Sequence, residues 1–305
     1  MNMNKHKSID PHAFWSAFGH QKELAKQNHT AACRAVDELR VETEKRVGAP
    51  VRIRYLEAGE LPGPTDAQMA WDYGRDHHLL CSWRKPENLR PPRLASLLLW
   101  TQLEAEARDA GKRRRLMLSE QQMHEIVSRF EPRFGSDFAA QLRHRLFTRQ
   151  MTELVFGMFL ASTRQMLVEE RLHNRFPVLR PAQFVSLSTI FLNTEGADRK
   201  ISGLPRLLDR TLGALIGLEA LFHDHLFGGT TNFAACREGS NGFDLARRLW
   251  DHWQANSPTM GPGDQFAMLD DFARILDLSG HFLWVYAPPM GGAPNTPPGS
   301  APEGN

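Results

Sequence analysis

The sequence predicts a mainly α-helical protein with a small β element near the N-terminus, an α+β multi-helix domain. Two patterns carry this prediction. Residues 135–177 place apolar side chains at the 3.6-residue period of an amphipathic helix, and Pro177 ends the pattern. Residues 49–59 instead alternate apolar and basic side chains, which is typical of a half-buried strand. With 305 residues, of which 41% are hydrophobic, the chain is long enough to bury a core of this kind.

The other elements follow from local signals along the chain. The Asp10–Pro11 pair is a helix N-cap followed by a first-turn proline, and it opens one or two amphipathic helices. A second short strand is predicted within residues 76–86, and the Pro91–Pro92 pair starts a helix over residues 90–111. Further helices are predicted at residues 119–132, 180–196, 204–229, 242–258 and 261–278, with a last strand or an extended segment at residues 279–289.

This order divides the chain into four parts. Residues 1–48 form the N-terminal helices, residues 49–185 the small β element with a helical core, and residues 186–288 the C-terminal helical part. Residues 289–305 are rich in Pro, Gly and Ser and have almost nothing to bury, so they are predicted to be a disordered tail.

The composition argues against several classes of protein. Lys plus Arg number 37 and Asp plus Glu 35, so the net charge of +2 gives no global reason to expect a polyanionic partner. Cys33, Cys81 and Cys236 lie far apart without a CxxC pair, which favours a reducing compartment and disfavours a cysteine zinc site. The N-terminus has no signal-peptide pattern, and no apolar run reaches about 18 residues. We therefore expect a soluble, cytoplasmic, bacterial protein with no membrane partner. The sequence has no G-x-G-x-x-G or Walker loop, so we expect no nucleotide bound by either of these motifs.

The helix at residues 90–111 follows two predicted strands, which is the order in which zinc metallopeptidases present their HExxH helix. Residues 50–185 resemble bacterial zincin-like peptidase homologues in this order and in hydrophobic texture. The resemblance implies a zincin-like core in which Ser96 stands in the first His position, Leu97 in the general-base position and Trp100 in the second His position.

These three side chains can neither ligate zinc nor activate water, so the resemblance implies a pseudoenzyme that has lost its motif. It also places Glu169 or Glu170 where related enzymes carry a third, carboxylate ligand. The simpler alternative is that the helix belongs to the core, with Glu104 and Arg108 as a surface pair four residues apart.

Several histidines are weak candidates for metal ligation. Glu170 and His173 have the ExxH spacing of di-iron bundles, but we find no second such motif, and a solvent-facing pair of Glu169 with His173 is the alternative. His223 and His225 lie at a helix end, where a capping role is the alternative to metal binding and Glu219 is the nearest helical partner.

His77 and His78 are a further pair of candidates, on the second predicted strand. Successive side chains of a strand point to opposite faces, so the two histidines cannot both face one site. Sequence spacing predicts no complete ligand set, and we expect no cofactor; zinc is the alternative.

The strongest local charge is the basic run from Lys112 through Arg113 and Arg114 to Arg115, expected on a loop between two helices. With the arginines that follow, residues 112–149 could form a basic face for nucleic acid or an acidic protein. The alternative is an ordinary solvated surface, because acidic residues are interleaved with the basic ones.

The sequence thus favours a non-catalytic helical protein that acts by protein interaction or regulation and has a protein partner. The resemblance associates such proteins with decayed peptidase scaffolds and with bacterial defence or regulatory operons. The first alternative is a metal-dependent hydrolase or peptidase whose histidines, among them His77, His78, His173 and His223, converge only in the fold. The second is a nucleic-acid-binding protein that uses residues 112–149.

Overall fold

The protein is described by a computed structural model that covers residues 11–56, 67–68, 76–82, 86–117, 121, 123–125, 138–198 and 204–286. These residues are mostly helical with two small sheets, so the predicted fold class is confirmed. The predicted helix at 119–132 lies largely outside these ranges, and the predicted tail at 289–305 lies wholly outside them. The helices are α1 (Pro11–Gln27), α2 (His29–Val47), α3 (Arg90–Asp109), α4 (Phe138–Arg175), α5 (Arg180–Asp198), α6 (Arg206–Leu226), α7 (Phe233–Arg237), α8 (Phe243–Asn256) and α9 (Asp264–Ile275).

The strands form two separate sheets. In the first, β1 (Val51–Leu56) pairs in parallel with β3 (His77–Ser82), and β2 (Ala67–Gln68) pairs antiparallel with the other side of β3. In the second, β4 (Arg114–Met117) pairs antiparallel with β5 (Leu283–Tyr286). The sequence prediction of a loop is therefore wrong for Arg114 and Arg115, because β5, distant in the chain, supplies the hydrogen-bonding partner that makes β4 a strand. Lys112 and Arg113 lie in the connection before this strand.

Two hydrophobic clusters form the interior. The first lies between α2, α3 and the β1–β3 pair, and the second gathers α1 and the helices from α4 to α9. The 38-residue helix α4 contributes to both, with Val168 and Leu172 in the first cluster and Val155 and Phe159 in the second. One long helix therefore joins the two halves of the core.

Helices α6 and α8 approach so closely that one position needs glycine. A Cβ atom added to Gly213 of α6 would overlap the backbone carbonyl oxygen of Asn241, which precedes α8. The helix would have to move away from a backbone atom that cannot rotate out of the way.

We expect Gly213→Ala to lower the free energy of unfolding by about 3 kcal/mol, through the repacking that such an overlap forces. Gly157→Ala is the matched control, because a Cβ there meets no atom within 4 Å and alanine favours a helix over glycine by up to about 1 kcal/mol. Urea denaturation of both variants measures the contrast. Equal stabilities would contradict the close approach of α6 and α8.

Candidate functional site

The helix compared with the zincin motif is packed into the first core cluster. Leu97, in the general-base position, is buried there among α2 and β3 side chains. Trp100, in the second His position, is half-buried, and the guanidinium of Arg164 lies over its ring at 4.9 Å. Both side chains thus have packing roles in this helix.

Ser96, in the first His position, meets the carboxylate of the downstream helix. Its hydroxyl lies 2.8 Å from Oε1 of Glu169 and 2.9 Å from the carbonyl oxygen of Pro92, and it donates to one of these acceptors at a time. Glu169 Oε2 accepts from the side-chain amide of Gln183 at 2.8 Å, and the Gln183 oxygen lies 3.3 Å from Nδ1 of His173. The side chains form a continuous polar network between α3, α4 and α5.

The prediction of a solvent-facing Glu169–His173 pair is therefore wrong. Glu169 is only 5% exposed, because α3 and α5 both cover this face of α4. Burial lowers the pKa of His173, and the nearby positive charge of Arg180 lowers it further. Glu170 instead faces α6, where its carboxylate is 4.0 Å from Nε2 of His225.

The histidines proposed as scattered metal ligands do not converge on one point. His77 and His78 lie on β3, where His77 is buried and His78 half-buried, and they belong to the first core cluster's side of the protein. His173, His223 and His225 lie instead around the crossing of α4 and α6, where Phe227 contacts the rings of His173 and His223. Over the residues that the structure describes, no group of three His, Cys, Asp or Glu side chains could hold a metal ion.

The basic run is largely paired within the fold. The Lys112 ammonium is 2.7 Å from Asp264, and the Arg114 guanidinium is 3.1 Å from Asp270. Arg115 is exposed on β4, opposite Val285 of β5. The charges of Lys112 and Arg114 are thus already balanced by carboxylates of α9.

Arg113 is the most buried member of the run, and its partner Glu104 is buried with it. Its Nε donates to Glu104 at 3.1 Å, and Arg164 donates to the other oxygen of the same carboxylate at 3.2 Å. Glu104 is 5% exposed and Arg113 8%, so Glu104 is not part of a surface pair with Arg108 as predicted. The covering helix α4, which carries Arg164, removes Glu104 from water.

A mostly apolar, partly open cavity of about 710 Å³ lies between α4, α5 and α6. On α4 it is lined by two small residues one turn apart, Gly157 and Ala161. On α6 it is lined by Leu212 and Leu215. Exposed Leu154 and Glu153 lie at its rim. The remaining walls are mostly apolar and come from Met158, Met166, Leu187, Ile190, Ile216, Leu218 and Phe222.

Two titratable side chains of α6, Glu219 and His223, also line this cavity. Apolar surroundings raise the pKa of Glu219 from 4.5 to about 7, because they disfavour its ionised form. Burial in turn lowers the pKa of His223 from 6.5 to about 3, so the imidazole is neutral near pH 7. The cavity therefore holds one carboxyl group that changes its charge near neutral pH and one imidazole that does not.

His223 does not have the capping role predicted for it. Its ring is 1% exposed and contacts the rings of Phe191, Phe227 and Phe233. Its Nδ1 has no hydrogen-bond partner among the described residues. The apolar face of α6 extends to this position, so His223 packs inward among aromatic rings.

Sequence reasoning missed the cavity, although two signals pointed to it. Glu219 is the only charged residue in the apolar stretch 211–222, and Gly157 and Ala161 recur four residues apart on α4. The first signal marks a carboxyl group on a face that packs inward, and the second marks a gap in a helix surface. Only the crossing of α4 over α6 brings them together.

Comparison with protein-family models, with curated proteins and with solved structures finds no match to this chain. In the part of the chain that the structure describes, none of the helices has the length and apolar composition that crossing a bilayer requires.

Proposed function

We propose that this chain is a non-catalytic helical regulatory protein that binds a small apolar molecule in the cavity between α4, α5 and α6. The observation that carries the proposal is the cavity itself, about 710 Å³ with mainly apolar walls. Small-molecule sites in proteins typically measure about 300–1,000 Å³ and combine such walls with a few polar groups. An apolar ligand would leave water and supply the contacts that the walls of the cavity now lack.

A non-catalytic role is supported by the hydrogen bonds of Glu104 and Glu169, two buried carboxylates outside the cavity. Glu104 accepts hydrogen bonds from Arg113 and Arg164, and Glu169 lies between Ser96 and Gln183. These acids are occupied by structural partners, so they hold helices together and are poorly placed to exchange protons with a substrate.

A regulatory role is supported by the course of α4. The helix lines the cavity through Gly157 and Ala161, and about two to four turns later it enters the first core cluster through Val168 and Leu172. A ligand that fixes α4 against α6 therefore acts on a helix shared by both halves of the core. The protein partner expected from the sequence would bind differently when a ligand fixes α4 against α6.

The zincin-like ancestry remains a proposal. It is supported by the contact between Ser96 and Glu169, since the resemblance implies that these two positions lie side by side. The alternatives of a metal-dependent hydrolase and of nucleic-acid binding by residues 112–149 remain predictions.

The proposal is tested by filling the cavity from α4. A leucine at Gly157 would project into the cavity, since a Cβ there meets nothing within 4 Å. We expect the wild type to bind the neutral fluorescent probe N-phenyl-1-naphthylamine saturably, and Gly157→Leu to weaken that binding at least about tenfold. Fluorescence titration measures both dissociation constants.

Gly19→Leu is the matched control, because Gly19 is also a helix-interior glycine with open space around it but lies on α1, away from the cavity. Both substitutions favour a helix, so neither is expected to unfold the protein. Unchanged probe binding by Gly157→Leu, or no saturable binding by the wild type, would overturn the proposed function.

A further inference from the structure

Glu219 is the charged side chain inside the cavity. Among the described residues that line it there is no Lys or Arg, and Glu153 lies only at the rim. We propose that the ligand is an amphiphile with a basic amine, whose ammonium group pairs with Glu219 while its hydrocarbon part fills the apolar walls. This inference rests on the proposed function and adds the chemical class of the ligand.

Glu219 is the group placed to bind the amine. It lies on the α6 wall of the cavity, within reach of the space left by Gly157 and Ala161 on α4. Glu153, by contrast, is an exposed side chain paired with Arg149 at 3.1 Å. A cation inside the cavity would therefore meet a carboxyl group in apolar surroundings, where an ion pair is stronger than in water.

The described residues of the neighbouring helices add neutral polar groups to the cavity wall. Asn193 and Thr194 of α5 and Gln165 of α4 line the cavity and can accept hydrogen bonds from an ammonium group. Glu195 of α5 is paired with Arg237 of α7 at 2.7 Å, and neither residue lines the cavity. An anionic ligand would find no Lys or Arg among the lining residues that the structure describes.

Binding of an amine by Glu219 is coupled to a proton. Below about pH 7 the carboxyl group is protonated, so pairing with an ammonium group requires release of that proton. The affinity for an amine should fall by up to about tenfold for each pH unit below 7. His223 stays neutral in this range, since its pKa is about 3, and the exposed Glu153 contributes little to the interior.

The experiment compares three ligands of equal chain length, decylamine, decan-1-ol and decanoate, by displacement of N-phenyl-1-naphthylamine from the full chain. At about pH 8 we expect decylamine to bind at least about tenfold more tightly than decan-1-ol, and decanoate to bind most weakly. At about pH 6 decylamine should lose about tenfold in affinity, whereas decan-1-ol should be unaffected.

Glu219→Gln separates the role of the charge from that of the cavity. It should remove both the preference for the amine and its pH dependence while leaving decan-1-ol binding intact, which also reports that the variant is folded. Glu153→Gln is the matched control and should keep the preference. Equal binding of amine and alcohol by the wild type would overturn the inference and leave the proposed function standing. Failure of all three ligands and of the probe would overturn both.

Discussion

Replacing Glu104 by glutamine is expected to lower the free energy of unfolding by about 3 kcal/mol, because it removes the negative charge that lies 3.1 Å from the buried guanidinium of Arg113. The amide has the same shape as the carboxylate but carries no charge. Arg113 is only 8% exposed, so water cannot solvate its guanidinium in place of the lost charge. Arg164 donates to the other oxygen of Glu104 at 3.2 Å, and because glutamine keeps only one acceptor oxygen, one of the two arginines would face an NH2 group. Urea denaturation monitored by circular dichroism measures the change.

The exposed pair of Arg149 and Glu153 provides the control for this prediction. It joins two α4 side chains at a similar distance, 3.1 Å, in water. Glu153→Gln should therefore change stability by no more than about 0.5 kcal/mol. The double change Glu104→Met with Arg113→Met should recover much of the loss, since an apolar pair of similar size needs no counter-charge. A Glu104→Gln variant as stable as the control would show that the ion pairs of Glu104 with Arg113 and Arg164 do not stabilise the fold.

Replacing His223 by phenylalanine is expected to stabilise the protein in acid by about 3 kcal/mol more at pH 4 than at pH 8. In the folded protein burial lowers the pKa of His223 to about 3, whereas the unfolded chain has the usual value of 6.5. Between pH 6.5 and 3 the unfolded state therefore binds a proton at this histidine and the folded state does not. The free energy of unfolding decreases as the pH falls through this range. Phenylalanine suits the ring contacts with Phe191, Phe227 and Phe233 and removes this titration.

Glu219 changes stability in the opposite direction. Its folded pKa is raised from 4.5 to about 7, so its contribution is full below pH 4.5 and is lost as the pH rises through 7, by about 3 kcal/mol. Between pH 4.5 and 6.5 the contributions of His223 and Glu219 have opposite slopes and should nearly cancel in the wild type. Denaturant titrations from about pH 4 to pH 8 measure this. In His223→Phe only Glu219 still titrates, so the free energy of unfolding should fall as the pH rises. In Glu219→Gln only His223 still titrates, so the free energy of unfolding should rise with pH. Two variants with profiles parallel to the wild type would contradict the burial of both groups.

The helices and their ends could be predicted from the sequence because their signals are local. Pro91 and Pro92 lie in the first turn of α3, and α4 ends at Arg175, two residues before Pro177. The alternating residues of β1 and the apolar residues of β3 also fall in the predicted segments. Periodicity and proline act within a turn or two, so the neighbouring residues are sufficient to predict them.

Pairing between distant segments could not be predicted in the same way. The parallel register of Val51 with His77 and the pairing of Arg114 with Tyr286 depend on backbone partners far along the chain. The basic residues around Arg114 have no strong strand preference, and only the hydrogen bonds from β5 make this segment a strand.

The sequence by itself determined where most of the helices lie and which side chains they carry, although the short helix α7 was not predicted. The tertiary structure alone decided which faces are covered, and so the roles of the charged residues. Glu104 and Glu169 are ordinary polar positions in a helical pattern, but α4 covers the first and α3 and α5 cover the second. Glu219 likewise acquires its raised pKa because α4 and α5 surround it with apolar side chains while leaving space beside Gly157. The burial of a charge depends on the helices packed around it, and no local pattern specifies those neighbours.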